Sequence, residues 1–472
     1  MSKYEAVIGI ETHVQLATKS KLFCGCDNDS REAEPNVNIC PVCAALPGSL
    51  PVLNGKAVEL AIRAGLALNG EIPKQTKFDR KNYFYPDNPS NYQITQYDEP
   101  IVGKGKVELP GGKTVGVTRA HLEADAGKLV HPPGKDYSLV DLNRAGTPLM
   151  EIVSEPDMRT AGEAKAYAQE LYHLMRYAGV SDCDLYYGNM RFDVNISLRL
   201  AGSKELGTRA EIKNLNSFRA VYGVVEYEAG RQAEVLDSGG KVEQETRGWN
   251  EDKQITFSQR SKEEAHDYRY FPEPDLPPIV VTDAMLAKAK AGLPDIMPND
   301  VRSTLAELEV KKQDVEFLVE EALLAEKVFE SRQHTQDPKR IIHIINWVAN
   351  QFNDEFRGKT PDAKRLAQLA DMFEDGIVSS TNAKNIFILM HEDSADPEEL
   401  AEKHGYLQVS DEGELQTIVE QVIKNNPKPV QQYKSGDEKV LGFLVGQVMK
   451  ESKGQANPPM VNDIIKKKLG DK

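Results

Sequence analysis

The hydrophobic pattern of the 472-residue chain changes period once, near residue 280, and that change constrains the fold more than any other feature. Before it, apolar and polar residues alternate in short runs, as strands with one buried face require. "AVIGIETHVQL", "YSLVDLNRAGTPLMEIV", "MRFDVNISLRL" and "GTRAEIKNLNS" all read as strands. Two helices interrupt them, "LNGKAVELAIRAGLALN" and "TAGEAKAYAQELYHLMRYAG", the second with Thr160 as N-cap and Gly179 as C-cap. A proline-rich stretch, "FPEPDLPPIVV", closes this region. Beyond about residue 290 the spacing is helical, as in "VRSTLAELEV", "QDVEFLVEEALLAEKVFE" and "KRIIHIINWVANQF". Short helices then run to the end, among them "AKRLAQLADMFEDG", "ELQTIVEQVIKNN" and "EKVLGFLVGQVMKES". Strands and helices without a regular repeat indicate an α+β body rather than a doubly wound sheet. A helical extension in two parts follows, and the expected division is 1–292, 293–404 and 405–472.

A net charge of −15 argues against a surface that binds nucleic acid all round, though not against a local patch. Lys450, Lys453, Lys466, Lys467, Lys468 and Lys472 crowd the last stretch against Glu451, Asp463 and Asp471. No apolar run is long enough to span a bilayer, and "MSKYEAVIGIETHVQL" lacks the features of a signal peptide. A cytoplasmic protein is therefore expected. Thiols stay reduced there, so clustered cysteines suggest a metal before they suggest disulfides.

Four of the five cysteines fall in "LFCGCDNDSREAEPNVNICPVC". Cys24-x-Cys26 and Cys40-x-x-Cys43 suit a tetrahedral zinc site, with unligated thiols as the alternative. Four thiolates leave zinc no open position, so the expected role is to pin the loop 22–45. Cys183 stands alone and reads as an ordinary buried thiol.

The chemistry is expected on the strands. Ile8, Ile10, Thr12, Val14 and Leu16 share one face of the first, and Gly9, Glu11, His13 and Gln15 the other. In "RFDVNISLRL", Arg191, Asp193, Asn195, Ser197 and Arg199 oppose an apolar face, and Arg209, Glu211 and Lys213 share a face further on. One such strand is a sheet with a wet side; three together suggest a site. A carboxylate and an imidazole two residues apart point into the same space and can bind a divalent cation. Glu123, Asp125 and Glu151 could complete an oxygen-rich shell, with Arg and Lys nearby for phosphate. The phosphate-loop, dinucleotide, kinase and serine-hydrolase motifs are absent, so any nucleotide is held by a less common route.

Seven tracts, from "IGIETHVQL" through "FDRKNYFYPDNPSNYQITQYDEPI", "HLEADAGK", "LVDLNRAGTPLMEIVSEPD", "RAEIKNLNSF" and "DYRYFPEPDLPP" to "GFLVGQVMKESKGQANP", resemble, in order, the GatB subunit of the tRNA-dependent aspartyl/glutamyl amidotransferases. The resemblance implies a mostly antiparallel cradle domain holding a kinase-like site, a helical domain and a small tail domain that docks tRNA. It implies ATP and Mg²⁺, an amidase partner with glutaminase activity, a small third subunit, and mischarged Glu-tRNA(Gln) or Asp-tRNA(Asn) as substrate. It also implies that Glu11, His13, Glu123 and Glu151 bind metal, with Asp125, Glu211 and Lys213 as further candidates. Arg80, Asn82, Tyr83 and Tyr85 would wall the nucleotide and acceptor end; Lys450, Lys453, Lys466 and Lys467 would meet tRNA. The rival from another class is a zinc-ribbon RNA-binding adaptor without catalysis, which leaves Glu11, His13 and Glu151 unexplained.

Overall fold

Strand β1 (Tyr4–Gln15) shows what the alternation builds: Ile8, Ile10, Thr12 and Val14 are buried, while Glu11, His13 and Gln15 stay partly open on the other face. The computed structural model describes residues 3–261, 267–356, 359–408, 412–452 and 454–470. The chain divides into two compact units, 1–299 and 300–472.

After β1 the first unit continues with α1 (Gly55–Ala67), β2 (Gln75–Thr76), β3 (Asp79–Asn82), β4 (Tyr92–Thr95), β5 (Gly105–Glu108) and β6 (Thr114–Ala124). Then come β7 (Lys128–Val130), β8 (Leu139–Asp141), β9 (Pro148–Ser154), α2 (Ala161–Tyr177), β10 (Met190–Leu200) and β11 (Ala210–Leu215). It ends with α3 (Phe218–Asp237), β12 (Glu245–Asn250), β13 (Ile255–Ser261), β14 (Phe271–Pro272), β15 (Ile279–Val280) and α4 (Asp283–Ala291). Eight strands form one sheet in the order β13-β12-β11-β10-β1-β9-β6-β5. Its pairings are antiparallel except that β11 and β12 run parallel. The apolar faces of β1 and β10 pack with α2 and α3 in one core that includes Ile10, Phe192, Val194, Leu171 and Val221. The class is α+β, as the alternation predicts.

Three local expectations are corrected. "YSLVDLNRAGTPLMEIV" is not one strand: turns at Ala145 and Thr147, with Gly146 at φ 85°, separate β8 from β9. "QDVEFLVEEALLAEKVFE" is two helices, Lys312–Glu320 and Ala322–Ser331, because Glu321 leaves helical geometry at φ −109°, ψ 74°. The 20-residue α3 was not foreseen, since Gly223, Gly230 and the adjacent Val224 and Val225 weaken its helical signal. Tertiary burial of Val221, Val224 and Val225 outweighs that propensity, and Ser217 caps the helix by accepting from the Ala220 amide at 3.0 Å. The proline-rich stretch returns to the body, where β14 pairs with β3 and β15 with β2.

The second unit is helical, and helices between 412 and 469 enclose a core of Leu415, Val419, Leu444, Val448, Val461 and Ile465. No helix among the described residues is long and apolar enough to cross a membrane.

Tyr167 of α2 is wholly buried, and its hydroxyl has no hydrogen-bond partner among the described residues. An unmet buried hydroxyl costs about 1–3 kcal/mol. Tyr167→Phe is therefore expected to keep or raise the melting temperature, whereas Tyr167→Ala should cost about 3–5 kcal/mol by opening a cavity. A lower melting temperature for the Phe variant would mean that the hydroxyl has a partner after all.

Candidate active site

Register carries the charged side chains into two adjacent groups. His13 of β1 pairs across the sheet with Glu151 of β9, and Glu151 in turn with His121 of β6. Two residues back along β1, Glu11 pairs with Asp193 of β10, while Asn195 pairs with Glu211 of β11. His13, Glu123 and Glu151 offer ligand atoms within 4.8 Å of one another, and so do Glu11, Asp193 and Glu211. His13 Nε2 lies 3.4 Å from Glu151 Oε2, and His121 Nε2 lies 3.7 Å from Glu123 Oε2.

These neighbours set the charges. Burial alone would lower the His13 pKa, but the Glu151 hydrogen bond and charge push it up to about 9. Burial would raise Glu151, yet His13, His121 and Lys81 hold it well below the carboxylate range. Glu123 is likewise held low against burial, first by its hydrogen bond with His121. Glu11 is raised by burial and then by the charges of Glu151 and Glu211. Such crowding is what a divalent cation with oxygen and imidazole ligands relieves.

A bulge aims Lys213. The β10–β11 register shifts between Phe192 and Val194, and Asn214 takes φ 60°. The Asn214 amide donates to Asp193 Oδ1 at 2.8 Å. Lys213 Nζ then lies 3.3 Å from Asp193 Oδ2 and 3.1 Å from Glu211 Oε1. Burial would lower its pKa, but Asp193 and Glu211 raise it, so the ammonium stays charged.

The other expected residues fall into different places. Asp125 joins neither metal group: Gln15 donates to its Oδ2 at 3.2 Å, and Arg144 and Arg191 lie 3.5 and 3.4 Å from that oxygen. Arg80 is clamped by Glu273 at 2.7 and 2.8 Å and lies over the Tyr92 ring. Asn82 donates to the carbonyls of Tyr268 and Arg269. Tyr83 packs edge-on to Tyr268, and burial raises its pKa; Tyr85 is 58% exposed. In the second unit Lys450 and Lys467 are exposed and Lys466 is half-buried, whereas Lys453 lies outside the described residues.

The cysteines converge. Cys24, Cys26, Cys40 and Cys43 form one ligand set, with Cys43 Sγ 3.9 Å from the sulfurs of both Cys26 and Cys40. A zinc–sulfur bond of about 2.3 Å sets the edge of a tetrahedron near 3.8 Å, whereas a disulfide needs about 2.05 Å. The four sulfurs therefore fit a metal such as zinc. Cys183 is buried and apart from them.

Residues 6–287 match the family model described as the GatB/GatE catalytic domain, and residues 326–469 match the GatB domain model. The chain belongs to the GatB family. A relative from Caldanaerobacter subterraneus is 48% identical over 99% of both chains, and one from Carboxydothermus hydrogenoformans is 46% identical over 99% of both. One from Persephonella marina is 46% identical over 99% of this chain and 100% of its own. All three are named as the GatB-type subunit of an aspartyl/glutamyl-tRNA(Asn/Gln) amidotransferase.

Sequence reasoning missed three residues of this GatB-family site. Asp193 was placed on the right face but not in a ligand set, since its partner Glu211 becomes visible only through register. His121 sits two residues before Glu123 on one strand face, a spacing that could have found it. Lys81 lies 5.0 Å from the Tyr268 ring, and Glu123, Tyr270 and Glu151 overcome burial to keep it charged. Nothing in the local pattern separates it from the clamped Arg80. For the cysteines, about one zinc per chain is expected by elemental analysis, lost on Cys40→Ser or Cys43→Ser. Chelation should make the 22–45 loop protease-sensitive; a chain that binds no zinc would remove the assignment.

Proposed function

We propose that the chain is the component of an aspartyl/glutamyl-tRNA amidotransferase that activates the misacylated side chain, as the names of its relatives suggest. The observation that carries this reading is the pair of ligand groups on one sheet face with Lys213 between two carboxylates of the second group. A side-chain carboxylate resists ammonia because its oxide is a poor leaving group. In the proposed reaction a carboxylate oxygen of Glu-tRNA(Gln) or Asp-tRNA(Asn) attacks the γ-phosphorus of ATP, and the bond to ADP breaks. Ammonia then adds to the acyl carbon, phosphate departs with the bonding pair, and the amine loses a proton, giving Gln-tRNA(Gln) or Asn-tRNA(Asn).

His13, Glu123 and Glu151 would hold one Mg²⁺, and Glu11, Asp193 and Glu211 a second. Bound there, Mg²⁺ supplies charge neutralisation for the transferring phosphoryl group. Lys213 and Lys81 add fixed positive charge on either side. Tyr83 and Tyr85 would face the acceptor end, with Arg80 and Asn82 shaping the wall behind them. Asp125 would hold Arg144 and Arg191 in place. Ammonia would come from glutamine on a separate amidase chain, with a small third chain completing a heterotrimer in the cytoplasm. The zinc loop would be structural. The lysines of the 405–472 tail domain would contact tRNA phosphates, which makes that binding salt-dependent.

The test is release of phosphate from γ-labelled ATP by the chain co-expressed with its amidase and small partner chains. Cleavage is expected only with Mg²⁺ and a misacylated tRNA, and comparing Glu-tRNA(Gln) with Asp-tRNA(Asn) identifies the substrate. No cleavage with any of them would leave the non-catalytic adaptor. Glu151→Ala should lower this step by about 10²-fold or more while glutamine hydrolysis persists; unchanged transamidation would refute a metal role. Ending the chain at residue 404 should weaken tRNA binding and spare ATP binding, measured separately; equal tRNA affinity would take the tail out of the docking surface.

A further inference from the structure

Gly9 lies inside β1, on the charged face, with no evident need to be glycine. Its φ is not among the positive ones, so the backbone would accept any residue. A Cβ there would lie 3.7 Å from Pro156 Cα and 3.8 Å from Ser154 Oγ, which is ordinary contact. Glycine within a strand costs about 0.5–1 kcal/mol relative to alanine and often marks a place where a ligand comes close to the backbone.

The space above Gly9 is a cavity of about 240 Å³ walled by Val7, Val153, Pro156 and Leu206 and open to Glu11 and Asn195. Apolar walls suit the faces of a planar ring. Asn195 Nδ2 donates to Glu11 Oε1 at 3.0 Å, which leaves its Oδ1 buried without a partner among the described residues. An orphaned acceptor in an apolar cleft calls for an N–H donor on the ligand. Arg209 also lines the cavity, exposed and without an ion-pair partner among the described residues. It lies two residues before Glu211 on the same strand face.

We propose that this cleft holds the adenosine of the nucleoside triphosphate. The base lies over Gly9, its exocyclic amine donates to Asn195, and the triphosphate passes Arg209 toward Glu11, Asp193 and Glu211. This rests on the ATP-dependent reading above and adds to it a direction. At the other end of β1 a cavity of about 750 Å³ includes Gln15, Arg191 and the exposed Tyr186. It is the larger and more polar of the two and suits the end of a polymer. Donor and acceptor then approach the metal groups from opposite ends of one strand, as in-line phosphoryl transfer requires.

The experiment compares Gly9→Ala and Gly9→Val with the unaltered chain in the assembled complex. The valine variant should raise the KM for ATP by roughly tenfold or more, and alanine by less. The KM for aminoacyl-tRNA and the glutamine hydrolysis of the amidase chain should stay unchanged. In the unaltered complex, inosine triphosphate, which lacks the exocyclic amine, should bind at least several-fold more weakly than ATP. That measurement stands even if the valine variant does not assemble. An unchanged KM for ATP in the variants, a shift confined to tRNA, or equal binding of the two nucleotides would each overturn the cleft assignment while ATP cleavage by the unaltered complex upheld the wider reading. No ATP cleavage by that complex would refute both.

Discussion

Mutual repulsion among Glu11, Glu123, Glu151, Asp193 and Glu211 is the constraint around which the first unit is arranged. Like charges brought this close in a half-buried space either take up protons or acquire compensating cations. The fold supplies part of the compensation itself. His13 and His121 stand beside Glu151, and Lys213 stands between Asp193 and Glu211. What remains is an excess of oxygen ligands on a rigid sheet. Rigidity matters because strands fix ligand spacing to within a few tenths of an ångström, whereas surface loops would splay apart to relieve the charge. The raised pKa of Glu11 marks where the protein's own cations fall short.

The same reasoning accounts for parts of the molecule that carry no chemistry. Lys21 is wholly buried, yet its Nζ donates to the carbonyls of Asn38 at 2.7 Å and Leu142 at 3.3 Å and lies 3.5 Å from Cys43 Sγ. A buried lysine is costly unless negative charge faces it. Cys43 provides that charge: hydrogen bonding from Cys24, opposed by burial and helped by the Cys40 amide and Lys21, brings its pKa down to about 4. A zinc with four thiolates carries a net negative charge, so Lys21 and the metal loop stabilise each other. Because Leu142 belongs to the turn leading to β9, the loop is tied to the strand that carries Glu151.

Much of this was legible in the sequence, and the limits have physical causes. The alternation in β1 and β10 fixed which residues share a face, because the side-chain period of a strand is set by its geometry. It could not say which strands are neighbours, and so Asp193 and His121 were left out of the ligand sets. Lys81 and Arg80 look alike in a row of charged residues. Only the pairing of β3 with β14 shows that Glu273, far along the chain, takes the arginine and leaves the lysine to the carboxylates. The helix α3 was missed for a related reason: its glycines and valines oppose helix formation locally, and the core they pack against is distant in sequence. The cysteine spacing, in contrast, needs no tertiary information and predicted the ligand set directly.

Core and site are therefore one decision taken along β1. Residues 8, 10, 12 and 14 enter the core, and residues 9, 11, 13 and 15 face, in turn, the small cleft, the two ligand groups and the large polar cavity. Residues two apart on a strand are separated by about 6.6 Å, close to the spacing of successive groups along a bound triphosphate and its acceptor. A slip of one residue would send Ile10 and Val14 to the charged face and bury Glu11 and His13 in the core. No partial form of that error is stable. Burial of the apolar face thus holds the ligands in register without any contact to them, and the site can bear its own repulsion because the opposite side of the same strand supplies the stabilisation.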